Sequence, residues 1–549
     1  MELDLSCIEE YFPMADFREG QRETIEKVMK AFDSGKRVVI LEGPTGTGKS
    51  AIGYTVARYF DTSYYITIQK SLQSQLMGDF GVDDGQYRQK GFSVVDLKGR
   101  NNYECLYYKT RAREPKPSPE VIEKAQEYIA CDAGECIRQG ESKLDECFGA
   151  LCTCPYLARK AQAKTANVCL MNFSSFFFQF VFGGFSARQF MIVDEAHNVE
   201  QQILNFVGLR ISDIFFKDDG VEFPKYETVI EYLVYFQKIG LMDLVEQKVE
   251  EFKRQNEKDA AEWERRKWKL GKLLDMLESG QDPDDRWAVN FHESGKKMIR
   301  TLEFKPVFSS DFAERFLLGA ADQILMMSAT ILSPQVIRRS LGLKKDEVTA
   351  IRMKNRFPVS NRRIIYSPSG SLSFKNKRKS FPAIANAVDA ICSEHKDCKG
   401  IIHTHNFELC YKLFELCDGT VKKRFLFQKD WPTKEDMLVH HRKPGNTIIL
   451  APAMHEGLDL YDELSRFQII VKVPYPSRND KQLMARTAVE PEYYDWLTAL
   501  KLVQAYGRSV RSPEDWAVTY IIDSDFSWFK KKCRQFLPTW FMEAIEVAD

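Results

Sequence analysis

Residues 37–50, RVVILEGPTGTGKS, decide the fold. Arg37 to Leu41 reads as a short buried strand. It runs into Gly43-Pro44-Thr45-Gly46-Thr47-Gly48-Lys49-Ser50, which fits G-x-x-x-x-G-K-[ST] and precedes the helical stretch AIGYTVARYF. Glycines at these places let backbone N–H groups curl around phosphate oxygens. Lys49 is placed to reach the β- and γ-phosphates, and the Ser50 hydroxyl to ligate Mg²⁺. A bare Gly-rich turn would not need the full pattern between a strand and a helix.

A nucleotide site of this kind needs an acidic metal partner at a second strand end. QFMIVDEAHN, residues 189–198, supplies it, because the apolar run Phe190 to Val193 delivers Asp194 and Glu195 to the carboxyl edge of a parallel sheet. Asp194 is expected to hold Mg²⁺ and Glu195 to orient and activate the attacking water. Phosphoryl transfer also needs positive charge on the developing γ-phosphate. In LVQAYGRSVRSPEDW, Gln504, Arg508 and Arg511 recur at i, i+4 and i+7, one face of a helix. Apolar strands alternate with helical segments upstream of it (GIIHTHN, TIILAPAMHEGLDL, FQIIVKVPYPS, VTYIID), which implies a second doubly wound α/β domain. The expected architecture is therefore two RecA-like parallel-sheet motor domains facing each other across an ATP cleft.

Composition sets the frame. The 549 residues suffice for roughly three or four domains. Lys plus Arg and Asp plus Glu both number 78, so any nucleic-acid track must be local rather than a property of net charge. The start, MELDLSCIEEYFPMADF, lacks the basic and apolar regions of a secretory signal, and SSFFFQFVFGGF is too short to span a membrane. A reducing, cytoplasmic setting is expected, with no membrane partner, and it disfavours disulfides among the 13 cysteines.

The order GPTGTGKS, DEAH, MSAT, HTHN, HEGLDL and QAYGRSVR resembles the superfamily 2 helicases. More narrowly, it resembles the iron–sulfur DNA helicases of the XPD/DinG type, from FREGQ near the start to IIDSDF near the end. The resemblance implies that Arg18 and Gln21 in FREGQRETI contact the adenine, and that YITIQKSLQSQL grips the DNA backbone. It implies that Ser328 and Thr330 in MSAT couple hydrolysis to DNA binding, and that Glu456, Gly457 and Asp459 in HEGLDL link the second motor domain to nucleotide. NFSSFF and SNRRIIY are similar to family connectors.

Two insertions interrupt the first motor domain, which is expected over 1–98, 161–205 and 306–345, with the second over 346–549. Residues 206–305 contain LVEQKVEEFKRQNEKDAAEWERRKWKLGKLLDMLESG. Val245, Val249 and Phe252, then Leu270, Leu273, Leu274 and Leu277, recur at helical spacing and predict a long helical hairpin. The resemblance makes this the arch that helps enclose the translocating strand. Trp263 and Trp268 read as packing residues, with base stacking the alternative.

Residues 99–160 carry Cys105, Cys131, Cys136, Cys147, Cys152 and Cys154. Irregular spacing without C-x₂-C suits an iron–sulfur cluster, which takes four thiolates from convergent loops; zinc stays open as the alternative. KGRNNYEC and CPYLARKAQAKTANVCLMNF resemble the family's approach to its first cluster cysteine and its exit from the last. The resemblance therefore implies Cys105 and Cys154 as ligands of a [4Fe–4S] cluster, and Cys136 and Cys147 are assigned to the two places between them. Cys131 and Cys152 are reserves, since Cys152 and Cys154 together would need a tight turn. The expected protein is a monomeric ATP-driven helicase acting on single-stranded and forked DNA, with 5′→3′ travel implied by the resemblance. An RNA-stimulated DEAH-type ATPase and an ATP-gated clamp are the alternatives.

Overall fold

The computed structural model describes residues 5–68, 70–133, 154–255, 257–278, 282–294, 298–373, 375–452, 460, 462–510 and 512–548. In chain order the strands begin with β1 (Val38–Glu42), β2 (Ser63–Thr67), β3 (Val94–Asp96), β4 (Val168–Asn172) and β5 (Arg188–Asp194). The inserted β6 (Leu209–Ser212), β7 (Trp287–Ser294) and β8 (Ile299–Pro306) follow, then β9 (Ala321–Ser328) and β10 (Val348–Arg352). The second half adds β11 (Ile364–Gly370), β12 (Gly400–His403), β13 (Phe425–Phe427), β14 (Ile448–Ala451), β15 (Phe467–Ile470), β16 (Val518–Asp523) and β17 (Ile545–Val547).

Two seven-stranded sheets result, in the orders β10-β1-β9-β5-β2-β4-β3 and β13-β14-β12-β15-β16-β11-β17. Every pairing in both is parallel. Parallel sheets must be covered on both faces, which is why β1 reads as an unbroken apolar run. Val38 and Ile40 enter one core, and Val39 and Leu41 the core on the opposite face. The two doubly wound domains expected from the sequence are thus observed. The first sheet extends past residue 345, where the sequence suggested a domain boundary. Val348 to Arg352 pair in register with β1, and this edge strand is only partly buried, so Thr349 and Arg352 interrupt its apolar run.

The helices that position the site are α1 (Gln21–Asp33), α2 (Lys49–Ala57), α3 (Pro155–Thr165), α4 (Val199–Val207), α5 (Leu241–Gln255), α6 (Glu257–Glu278), α7 (Phe407–Leu416), α8 (Lys481–Val489) and α9 (Glu492–Tyr506). In the second insertion α5 and α6 form the expected hairpin, with Val245, Val249, Leu270 and Leu273 buried. Its base is an unforeseen antiparallel sheet, β6-β8-β7, whose alternation is blurred by charges such as those in IRTLEFKP. Trp263 is buried against Phe215 and Phe216, at ring-centroid distances of 5.3 and 5.8 Å. Trp268 sits edge-on to Phe182 at 5.6 Å. Both are packing residues. The base of this insertion also meets the second motor domain, where Asn290 Nδ2 donates to Asp480 Oδ1 at 3.1 Å and Asn290 Oδ1 accepts the Lys481 N–H at 2.9 Å. No helix among the described residues is long and apolar enough to cross a membrane.

Candidate functional site

The strand ends of the first sheet bring the sequence motifs together. After β1 the chain turns through Gly46 (φ 80°) and Gly48 (φ 74°), a left-handed conformation that glycine adopts without a Cβ penalty. A Cβ on Gly48 would lie 2.2 Å from Gln21 Nε2, so the side chain of Gln21 rests on the loop. Gln21 Nε2 donates to Thr47 O at 3.0 Å, Gln21 Oε1 accepts the Arg18 N–H at 2.6 Å, and Arg18 Nη1 donates to Gly46 O. Lys49 opens α2 and its Nζ donates to Gly43 O at 2.8 Å, within the loop whose N–H groups and helix N-terminus suit an anion.

Asp194 ends β5 and is buried. It accepts the Tyr65 hydroxyl on Oδ2 at 3.0 Å and the Glu195 N–H on Oδ1 at 2.9 Å. Burial, reinforced by the neighbouring Glu195 charge, pushes the Asp194 carboxyl up to about 6, while Lys49 pulls in the other direction. Tyr65 also interacts with the Ser50 hydroxyl, and burial raises its own pKa well above the usual value. This tyrosine ties the loop serine to the acidic strand end. Sequence inspection missed it, because in SYYIT it reads only as a strand residue.

Glu195 itself adopts φ 53°, an uncommon conformation for a non-glycine residue and one that costs on the order of 1–3 kcal/mol where it occurs. Its Oε2 lies 3.3 Å from His197 Nδ1. His197 Nδ1 and Ser328 Oγ are hydrogen-bonded at 2.7 Å, and Ser328 Oγ accepts the Thr330 N–H at 3.1 Å. The DEAH and MSAT segments are therefore in direct contact.

The second motor domain closes the other side. A cavity of about 120 Å³ is lined by Thr45 of the loop, Glu195, Thr330, Phe357 of the interdomain connector, Gln504 near the end of α9, and Arg508. Arg508 is not on the helix expected from the i, i+4, i+7 spacing, because α9 ends at Tyr506 and Gly507 turns the chain. Gln504 Nε2 is buried and has no hydrogen-bond partner among the described residues. An amide donor in that state, facing a cleft between a glycine loop and an arginine, suits an anionic ligand. Phe357 is a wall residue that sequence inspection also passed over. Arg511, Glu456, Gly457 and Asp459 lie outside the described residues.

In the first insertion an antiparallel bridge joins Glu104 and Ala130. Cys105 N–H donates to Ile129 O at 2.7 Å and Cys131 N–H to Tyr103 O at 2.8 Å, which brings these two cysteine segments side by side. Cys131, held as a reserve from the sequence, has its sulfur 3.7 Å from that of Cys154. Cys154 stands at the N-terminus of α3. The Cys131 thiol and the N–H groups of Leu157 and Tyr156 lower its pKa to about 6 against the opposing effect of burial, with Arg100 assisting. A thiolate held beside a second thiol is the donor chemistry a soft metal or cluster requires. Among the described residues, no group of three or more His, Cys, Asp or Glu is arranged to hold a metal ion. Cys136, Cys147 and Cys152 lie outside the described residues.

The chain is similar to several known proteins. Residues 391–544 match the helicase C-terminal domain family, and residues 14–244 match the family described as type III restriction enzyme, res subunit. The chain is 24% identical over 157 residues to the ATP-dependent DNA helicase chl-1 of Caenorhabditis elegans, a match covering 26% of this chain and 19% of that protein. It is 20% identical to a probable ATP-dependent helicase of Methanocaldococcus jannaschii, across 96% of this chain and 95% of that one. Among solved structures, an XPD helicase superposes with a TM-score of 0.65 at 15% identity, covering 97% of this chain and 100% of that chain. The structure of S. tokodaii Xpd4 superposes with a TM-score of 0.57 at 12% identity, covering 97% and 100%. Fold and cleft together define an architecture of two parallel-sheet α/β domains that share one cleft. That architecture is the XPD helicase fold, the resemblance which the motif order carries.

Proposed function

We propose that the protein is an ATP-dependent DNA helicase that moves along single-stranded DNA in the 5′→3′ direction and separates duplex ahead of it. The observation that carries this reading is the cavity shared by the glycine loop, Glu195, Thr330, Gln504 and Arg508. It joins the two motor domains at a polyphosphate-type cradle. The likeness to ATP-dependent DNA helicases supports the choice of DNA as track.

In this reading Lys49 and the loop N–H groups bind the β- and γ-phosphates, and Arg18 and Gln21 hold the adenine side. Glu195 orients the attacking water and accepts its proton. Arg508, with Arg511, stabilises charge on the γ-phosphoryl oxygens as the cleft closes. Ser50 and Asp194 would hold Mg²⁺, which when bound neutralises phosphate charge. Gln504, Glu456, Gly457 and Asp459 complete the second-domain side of the cleft. The contact of His197 with Ser328 passes the state of the nucleotide to the DNA-gripping segments. Alternate closing and opening then ratchets one domain past the other along the strand, held mainly through phosphates.

Cys154 is the first residue we assign to a [4Fe–4S] site, with Cys105, Cys136 and Cys147; Cys131 enters the candidate set through its place beside Cys154. When bound, the cluster supplies a covalent brace for the loop-rich insertion. The boundaries 99–160 and 206–305 serve as working limits for the cluster and arch domains.

The test is ATP hydrolysis with single-stranded DNA or RNA, together with strand separation on forks bearing a 5′ or a 3′ tail. DNA-stimulated hydrolysis and unwinding from the 5′ tail, both lost in Lys49→Ala, are expected. Stimulation by RNA alone would indicate an RNA-directed ATPase, and hydrolysis without strand separation a nucleotide-gated clamp.

A further inference from the structure

Helix α9 presents Gln504 to the cleft at one end, and its other end is fastened to the first motor domain. Trp496 is 2% exposed, and its indole N–H donates to Ile331 O at 3.0 Å. Ile331 directly follows the MSAT segment. Its N–H and that of Leu332 are held by Glu42 Oε1 at 2.9 and 2.8 Å, and Glu42 is the residue on which β1 ends, immediately before the glycine loop.

A second fastening lies one helix earlier. Arg486 on α8 is 1% exposed, and its Nη2 donates to Ser340 Oγ at 3.2 Å. Its Nε lies 3.7 Å from Glu200 Oε1, and Nη2 lies 3.3 Å from Glu490. Its guanidinium stands 4.8 and 5.0 Å from the rings of Phe308 and Tyr493. Ser340 Oγ in turn donates to Glu200 Oε2 at 2.7 Å. Glu200 is on α4, the helix that continues from the DEAH segment. Burying these charges is costly, and breaking such a set by removing one member costs more than exchanging it for apolar groups. Its retention fits a role in fixing one arrangement of the two domains.

We propose that Trp496 and Arg486 are positioning residues that clamp α9, the helix that leads into the turn bearing Arg508, to the first motor domain. A change at Glu195 or Ser328 then moves α9 as a rigid rod about its fastened end. At 1.5 Å per residue the arm from Trp496 to Gln504 is about 12 Å long, so a rotation at Trp496 displaces Gln504 and the turn that follows with Arg508. The clamp rests on the reading of the cleft as an ATPase site.

Two variants test it. Trp496→Phe keeps the ring and removes the N–H donor. Glu200→Gln keeps an acceptor for Ser340 and removes the charge facing Arg486. In each, kcat for DNA-stimulated ATP hydrolysis is expected to fall about tenfold, while KM for ATP stays within about twofold. A merely structural weakening would move both constants together. Domain closure is followed separately, by energy transfer between dyes on the two motor domains when ADP–beryllium fluoride and Mg²⁺ are added. The wild type is expected to close and the two variants to close less. Normal closure in both variants, or normal kcat in both, overturns the clamp. A wild type that closes yet hydrolyses no ATP overturns the helicase reading alone, and the variants' closure still decides the clamp. Where Trp496→Phe does not fold, Glu200→Gln gives the answer.

Discussion

Glu195 occupies a left-handed backbone conformation between a buried aspartate and a histidine bonded to the next motif. Holding a carboxylate there makes sense only if its direction matters. Glu195→Gln is accordingly expected to bind ATP as the wild type does while kcat falls by roughly 10²-fold or more, checked by nucleotide titration beside steady-state hydrolysis. A second residue-level prediction concerns His441, which is buried between Thr447 Oγ1 and Leu464 O at 2.8 Å each. Burial lowers its pKa from 6.5 to about 4. The unfolded chain thus takes up a proton that the folded one refuses. Stability from this group is present above pH 6.5 and is lost as pH falls towards 4, by about 3 kcal/mol in full. His441→Gln should flatten the dependence of the thermal midpoint on pH in that window.

At the level of elements, helix α7 follows the HTHN segment and is capped by Asn406, whose Oδ1 accepts the Leu409 N–H at 2.9 Å. Asn406→Ala should cost about 1 kcal/mol of stability, measured by denaturant unfolding of the second domain. Trp263 fills the junction between the hairpin and the residues before it, so Trp263→Ala should cost roughly 3–5 kcal/mol, visible as early loss of helix signal on heating. These elements differ in how openly the sequence declares them. Strands such as β1, β5, β12, β14 and β15 are short apolar runs, and they were readable because parallel strands are buried on both faces. β10 and the β6-β8-β7 sheet were not, because an edge strand and a half-exposed sheet mix charge into their pattern. Lys49, Asp194, Glu195, Gln504 and Arg508 were legible from motif spacing, whereas Tyr65 and Trp496 were not. Their roles depend on partners 129 and 165 residues away, a relation no local spacing records.

At the scale of the whole molecule the equal counts of acidic and basic residues supply no net charge to attract nucleic acid. Binding must come from local phosphate contacts. For about five such contacts, affinity for single-stranded DNA should fall roughly a hundredfold between 50 and 200 mM salt, as measured by fluorescence anisotropy.

The place of β1 between β10 and β9 in the first sheet carries one more consequence, for how the chain is made. Its two neighbours, β9 and β10, begin only at Ala321 and Val348, whereas β1 ends at Glu42. At the usual pace of translation the strand that leads to the nucleotide loop must wait ~15–60 s for its partners to leave the ribosome. During that time its apolar edges are unpaired, so a chain cut short before residue 321 cannot finish the first domain and should be a ready client for chaperones.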